Sequence, residues 1–116
     1  MQFLSLAPFV PSGKNFEASK SLFQQIGFTI SWDAGDYVGF KKDEANFILQ
    51  KFDDEIFAQN LMINVKITDA AAFRQHVLDK QLPEQYGIRI TKVMEQPYGK
   101  EVNIIDLAGV CWHFVE

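Results

Sequence analysis

Cysteine is nearly absent from this chain, which has a single one, Cys111, among its 116 residues. One cysteine cannot form an internal disulfide, so the fold has to be held by its apolar core, and a reducing compartment is expected. The core is large enough for this, since 47% of the residues are hydrophobic and a chain of this length buries roughly two thirds of its unfolded surface. The sequence therefore predicts one domain, residues 1–116, without a disulfide framework.

Long apolar runs and excess positive charge are also missing. No run approaches the roughly 20 apolar residues that span a bilayer, and the N-terminus lacks the basic start and small-residue cleavage site of a signal peptide. A cytoplasmic protein without a membrane partner is expected. The chain has 11 Lys and Arg against 15 Asp and Glu, a net charge of −4. This balance disfavours nucleic acid as a partner and favours cationic ligands.

The first half of the chain alternates apolar segments with turn residues in a β-α-β-β-β order. A strand is predicted over residues 3–10 and a helix after the Pro-Ser-Gly at 11–13, ending at Gly27. The apolar side of that helix recurs at helical spacing and comprises Phe16, Ser19, Leu22, Phe23 and Ile26. Three short strands are predicted over residues 28–32, 37–40 and 47–52.

The second half repeats this order. A strand is predicted over residues 61–67, and Asp69 stands where a helix N-cap belongs. The Leu-Pro-Glu at 82–84 is predicted to end that helix, and three strands follow over 88–93, 102–105 and 110–115. The sequence thus predicts an α+β domain of two βαβββ modules, residues 1–55 and 56–116 approximately.

Residues 95–116, EQPYGKEVNIIDLAGVCWHFVE, contain a QPYG turn, a strand, a DLAG turn and a strand with two aromatics and a histidine. This succession resembles the end of the second module in the vicinal-oxygen-chelate superfamily, which includes glyoxalases, extradiol dioxygenases and antibiotic-resistance proteins. The details are most similar to the bleomycin-resistance proteins. In the first module, residues 17–28 resemble the family helix S-x-x-FY-x-x-LGF. The resemblance implies that each module curls into half of a cupped mixed sheet with the ligand inside.

The resemblance also indicates where a metal would bind in this fold. Metal-dependent members have ligands on the first, fifth and eighth strands, and the matching positions here are Ser5, Met62 and His113, with residues near Ile48 at a fourth. Only His113 can ligate. Because a catalytic metal site uses about three protein ligands plus an open position, we predict no metal and no cofactor. Metal-dependent isomerisation, thiol addition and ring cleavage are therefore disfavoured too, because each uses the metal to bind or polarise substrate oxygens.

Aromatic and acidic side chains remain as candidates for ligand binding. By resemblance, Tyr98 in the QPYG turn and Tyr37 in a hairpin correspond to the aromatic residues of the bleomycin groove. Tyr98 can equally be a turn aromatic that packs over a strand end, and Trp32 can be groove wall or core. Asp36, like Asp33, can meet a cationic ligand or cap its own turn. Two losses stand out: the family has tryptophan at the position of Tyr98, and the usual DPxGN turn is DLAGV here.

Strand alternation places Glu101 and Asn103 on one face, with His113 predicted across the neighbouring strand. A carboxylate and an imidazole in contact can form a general base or a structural pair, and no nucleophile is identified to accompany them. Cys111 is expected to be a small buried thiol in an apolar strand rather than a nucleophile. Trp112 and Phe114 are predicted to be core or subunit-contact residues.

These observations predict a metal-free protein that binds a small molecule, such as a cationic or aromatic antibiotic. The predicted ligand-binding residues are Trp32, Asp36, Tyr37, Tyr98, Glu101, Asn103 and His113. The alternatives are a glyoxalase-type lyase or isomerase that uses Glu101 and His113 for proton transfer, and a protein that binds an unknown metabolite. A homodimer is predicted, because one cup of this size leaves a sheet face uncovered. Pro8 is either the hinge of an exchanged N-terminal strand or an edge-strand proline.

Overall fold

Two sheets, one built by each half of the chain, form the frame of this protein. The computed structural model describes residues 1–116. The elements follow in the order β1 (Phe9–Pro11), α1 (Phe16–Ile26), β2 (Thr29–Asp33), β3 (Tyr37–Lys42), β4 (Ala45–Gln50), α2 (Glu55–Asn60), β5 (Met62–Lys66), α3 (Ala70–Asp79), α4 (Leu82–Tyr86), β6 (Arg89–Ile90), β7 (Met94–Gln96), β8 (Gly99–Ile105) and β9 (Cys111–Val115).

The four-stranded sheet, sheet A, has the order β1-β4-β3-β2, and the five-stranded sheet, sheet B, has the order β5-β9-β8-β6 with β7 also on β8. In each sheet the first strand of the module runs parallel to its neighbour, β1 beside β4 and β5 beside β9, and the other pairs are antiparallel. This arrangement confirms the predicted α+β fold of two βαβββ modules.

Helix α1 packs between the modules through the side predicted from its periodicity, since all five of those residues are buried. Asn15 caps its start by accepting a hydrogen bond from the Ala18 N–H, and the helix ends at Gly27, whose φ of 134° favours glycine. The ring of Phe23 lies 5.1 Å from that of Trp112, which belongs to the other module. The two modules therefore share one aromatic core.

The predicted first strand is wrong over most of its length. Only Phe9–Pro11 pairs with a neighbouring strand, while the residues before it belong to no strand. Phe3 is 93% exposed, Leu4 88% and Leu6 87%. Apolar character favours burial but does not supply a partner, and a strand exists only where a second one offers hydrogen bonds. We call residues 1–8 the N-terminal arm.

Several short elements also differ from the prediction. Helix α2 was not predicted, and Asp54 caps it by accepting from the Phe57 N–H. The Leu-Pro-Glu segment opens the short helix α4 instead of only ending α3, because proline is tolerated in a first helical turn. Strand β6 has two residues, and β7 was missed. No helix of the structure combines the length and the apolar character that crossing a membrane requires.

Candidate functional site

Sheet A carries an accessible aromatic face. Strands β2, β3 and β4 place Trp32 opposite Gly39 and Tyr37 opposite Gln50, on the side away from the core. Trp32 is 45% exposed and Tyr37 is 41% exposed. The Tyr37 ring meets the Phe9 ring edge-on, with the centroids 5.9 Å apart. Of the two roles open to Trp32, the structure therefore excludes the core.

The position of the Trp32 indole depends on a glycine in the next strand. A β-bulge between Ile30 and Trp32 shifts the register, and the indole lies against the backbone at Gly39, where a Cβ would overlap the ring. A cavity of about 570 Å³ opens beside the indole, between Lys41 and Asn46 of the sheet and Leu6 of the N-terminal arm. The missing side chain at Gly39 thus leaves room for the Trp32 indole to lie flat at the wall of the cavity.

The two acids of the β2–β3 turn have different surroundings. Asp33 accepts a hydrogen bond from the Gly35 N–H at 2.9 Å and pairs with Lys20 Nζ at 2.8 Å. The Lys20 hydrogen bond is the main cause that lowers the pKa of Asp33 and raises the pKa of Lys20. Asp33 therefore caps its turn and ties it to α1. Asp36 is exposed and its side chain makes no hydrogen bond, so this carboxylate stays free for a ligand.

Sheet B carries a group of ionisable side chains on its outward face. Glu101 and Asn103 lie on β8, and Asn103 stands opposite His113 of β9. The Glu101 carboxylate, 4% exposed, has its Oε1 3.4 Å from His113 Nδ1. Tyr98 donates from its hydroxyl to the same oxygen at 3.0 Å. The predicted contact between Glu101 and His113 is present, and Trp112 and Phe114 point to the core as expected.

Tyr98 is tied to this group through its hydroxyl. It is 59% exposed, and the hydrogen bond to Glu101 is the main cause that raises the pKa of its phenol. The ring therefore lies at the edge of sheet B, with one side in solvent and its hydroxyl fixed.

The predicted burial of Cys111 is wrong. The thiol is only partly buried and lies on the same face as His113, with Sγ 3.4 Å from Nε2. The apolar neighbours suggested a core position, but two-residue alternation in β9 puts Cys111 and His113 together and sends Trp112 inward. The Cys-Trp-His spacing was the signal that could have revealed this. Burial is the main cause that raises the pKa of the thiol, followed by the charges of Glu101 and Asp106.

Asn103 belongs to the same group of sheet B and has a hydrogen-bond acceptor without a partner. Its backbone N–H donates to Thr91 Oγ1 at 3.0 Å, while its side-chain Oδ1 is buried and has no hydrogen-bond partner. Buried polar atoms are nearly always paired, so this amide has capacity for a donor that the chain itself does not supply.

The predicted residues therefore form two groups on two sheets. The ring group of sheet A comprises Trp32, Tyr37 and the neighbouring Asp36. The ionisable group of sheet B comprises Tyr98, Glu101, Asn103 and His113, together with Cys111, which was not among the predicted site residues. No hydrogen bond and no aromatic contact joins the two groups within the chain. No three His, Cys, Asp or Glu side chains are arranged to hold a metal ion.

Solved structures match this architecture along the whole chain. The bleomycin-binding protein of bleomycin-producing Streptomyces verticillus, in complex with copper(II)-bleomycin, superposes with a TM-score of 0.80 at 22% identity, covering 99% of this chain and 97% of that one. The bleomycin resistance determinant encoded on transposon Tn5 gives 0.81 at 15% identity, covering 98% of each chain. TnmS3, an antibiotic-binding protein from Streptomyces sp. CB03234, gives 0.74 at 14% identity, covering 99% and 97%.

The chain thus has the fold of the glyoxalase/bleomycin-resistance proteins, as the sequence resemblance implied. Within that fold it is structurally similar to proteins that bind bleomycin and other antibiotics. No protein-family model matches the sequence, and no curated protein sequence matches it.

Proposed function

We propose that this protein binds flat, cationic small molecules and holds them without changing them. The observation that carries the proposal is the pair of outward faces, one with exposed rings and one with a buried carboxylate. Both stand on a fold that similar structures use to hold bleomycin.

The two faces supply complementary interactions. Exposed rings such as Trp32 and Tyr37 stack on flat ligands, with about 0.5–1.5 kcal/mol for each aromatic pair beyond the area buried. Glu101 is nearly inaccessible in the free chain, and the attraction between opposite charges is stronger where water is excluded. A ligand with both a flat ring system and a positive group would use both faces, and the net charge of −4 favours its approach.

We also propose that the working form is a homodimer. The N-terminal arm exposes Phe3, Leu4 and Leu6 to water, and a second copy that covers them would gain roughly 25 cal/mol for each Å² of apolar surface. Because the ring group and the ionisable group do not meet within one chain, an enclosed site would combine sheet A of one subunit with sheet B of the other. Sedimentation equilibrium tests this: the full chain should be dimeric, and a chain that lacks residues 1–6 should shift toward monomer.

Calorimetric titration with bleomycin, both metal-free and copper(II)-loaded, tests the ligand class. We expect saturable heat with one site per subunit, and quenching of tryptophan emission from the exposed Trp32. Trp32→Leu should weaken binding and abolish the quenching. Tyr86→Phe is the matched control, because Tyr86 hydrogen-bonds Ser21 at 2.6 Å and lies on neither face. If neither the metal-free nor the copper(II)-loaded form gives heat, bleomycin is ruled out as the ligand.

A second candidate function follows from the contact between Glu101 and His113. These two side chains can move a proton, which is the chemistry of a glyoxalase-type lyase or isomerase. Turnover of methylglyoxal with glutathione, together with metal analysis of the purified protein, tests this alternative. Turnover that is lost in Glu101→Gln would favour the enzyme over the binding protein.

A further inference from the structure

The thiol, the imidazole and the carboxylate of sheet B stand in a row. Cys111 Sγ lies 3.4 Å from His113 Nε2, and His113 Nδ1 lies 3.4 Å from Glu101 Oε1. Each nitrogen of the ring therefore has its own partner. With the proton on Nδ1 directed at the carboxylate, Nε2 has a free lone pair that faces the thiol.

The row is held by rigid elements. Cys111 and His113 lie on β9 and Glu101 lies on β8, and these two strands are paired along their whole shared length. Tyr98 fixes the carboxylate from its other side with a 3.0 Å hydrogen bond. Side chains on paired strands keep their relative positions better than side chains on loops. The thiol is also partly accessible, so a small molecule can reach it.

We infer that Cys111 is a nucleophile that captures soft electrophiles of the α,β-unsaturated carbonyl class, with His113 as its base and Glu101 as a positioning residue. The thiol proton passes to His113 Nε2, and the sulfur forms a bond to the β-carbon of the electrophile. The electron pair of the carbon–carbon double bond moves toward the carbonyl oxygen. The proton on His113 then returns to the α-carbon, so the product is a thioether and no co-reactant is consumed.

The surroundings of the thiol make the base necessary. Glu101 and Asp106 carry the charges nearest to Cys111, and with burial they raise the pKa of the thiol. Strand β5 faces Cys111 and His113 with Met62 and Asn64, which do not titrate. Lys66 of the same strand donates to the Glu116 carbonyl at 3.1 Å. The cation of β5 is therefore engaged elsewhere, and in the proposed step His113 removes the proton as the sulfur attacks.

The first experiment measures the rate of addition of N-ethylmaleimide by intact-protein mass spectrometry. Because Cys111 is the only cysteine, one added mass reports on this thiol alone. The folded protein at pH 7 should react faster than the same chain unfolded in urea. A raised thiol pKa without a base would give the opposite order, so a slower folded protein would overturn the inference.

Variants separate the base from a structural neighbour. His113→Gln should slow the addition at pH 7 by about tenfold or more, as expected for loss of a general base. Glu101→Gln should slow it less. Both differences should disappear at a pH high enough to ionise the thiol directly, because the base is then not needed. His76→Gln is the matched control, since His76 lies on α3 and contacts the Gln25 carbonyl. An unchanged rate in His113→Gln at pH 7 would overturn the inference.

Covalent capture goes beyond the reversible binding proposed above, and the two can fail separately. Cys111→Ser should lose the maleimide adduct completely, and bleomycin binding is measured on the unsubstituted chain. If the protein binds bleomycin but the folded chain does not add the maleimide faster, the binding function stands and the role of His113 as a base is contradicted. Faster addition without bleomycin binding would do the reverse.

Discussion

Sheet A and sheet B have the same connectivity, yet their outward faces differ. On sheet A the large accessible side chains of β2 and β3 are the rings of Trp32 and Tyr37. On sheet B the outward side chains of β8 and β9 include Glu101, His113 and Cys111, which contact one another instead of presenting flat surfaces. The inward faces do not differ in this way, since Phe47 from sheet A and Trp112 from sheet B meet in one core with ring centroids 5.0 Å apart.

This difference shows how two modules with the same fold can present different chemical groups. Side chains alternate between the two faces of a strand, so the core face can stay apolar in both modules while the outward face changes freely. One module then presents exposed rings, and the other presents a carboxylate, an imidazole and a thiol. The two modules also differ in their turns. Each has an aspartate that caps a hairpin, and Asp33 of the first module is exposed while Asp106 of the second is buried.

The largest expected effect concerns those two turns. Asp106, between β8 and β9, accepts hydrogen bonds from the N–H groups of Ala108, Gly109 and Val110 and from Trp112 Nε1 at 2.8 Å. Asp106→Ala leaves these donors unpaired and should lower the free energy of unfolding by about 3 kcal/mol or more. The corresponding Asp33→Ala, at an exposed turn of sheet A, should change it little. Urea unfolding of both variants measures this, and equal losses would contradict the comparison.

Gly39→Ala tests how sheet A holds its indole. The added methyl would overlap the Trp32 ring, so the ring must move, and overpacking of this kind costs about 1–3 kcal/mol of stability. The emission of Trp32 should shift to the red as the ring leaves the strand. In a Trp32→Phe background the same substitution should leave the emission unchanged, because Trp112 is buried elsewhere. Emission that stays constant in the native background would show that the contact is not maintained.

Salt dependence separates the two faces in ligand binding. Trp32→Leu should weaken bleomycin binding by about 1 kcal/mol at every ionic strength, since stacking is not screened. Glu101→Gln should weaken binding most at low salt and less at high salt, because screening already reduces the contribution of the charge. Calorimetry at two salt concentrations checks both, and a salt-dependent loss in Trp32→Leu would contradict the assignment of the faces.

The smallest expected effect is a change in the pKa of Tyr98. The hydrogen bond from Tyr98 to the Glu101 carboxylate raises the pKa of the phenol above its ordinary value of 10.0. The neutral side chain in Glu101→Gln should bring the pKa of Tyr98 back toward that value. Difference absorbance titration against Tyr98→Phe, which removes this one of the three tyrosines, isolates the signal. An unchanged pKa would mean that the hydrogen bond does not form in solution.

Much of the fold could be predicted from local signals. Helix α1 was predicted from the spacing of its buried residues and its Gly27 stop, and Asp69 was recognised as the N-cap of α3, where it accepts from the Ala72 N–H at 2.9 Å. The N-terminal arm could not be predicted, because its residues are as apolar as those of a strand. Whether such a segment pairs depends on a partner strand, which is not a local property.

The candidate site was predicted only in pieces. Alternation placed Glu101 and Asn103 on one face, and the contact with His113 followed from the hairpin. Cys111 was assigned to the core because its neighbours in sequence are apolar, although the residues that it meets lie two positions along β9 and across on β8. The bulge that turns Trp32 onto Gly39 also left no mark that a single sequence reveals.

The sequence by itself determined the alternation of each strand, the faces of the helices and the duplicated order of elements, because these follow from backbone periodicity and from turn residues. Only the tertiary structure decided which alternate faces meet water, which strands lie side by side and how close a thiol, an imidazole and a carboxylate come. Those distances depend on register between segments that are distant in sequence, and register is set by the packing of the whole core.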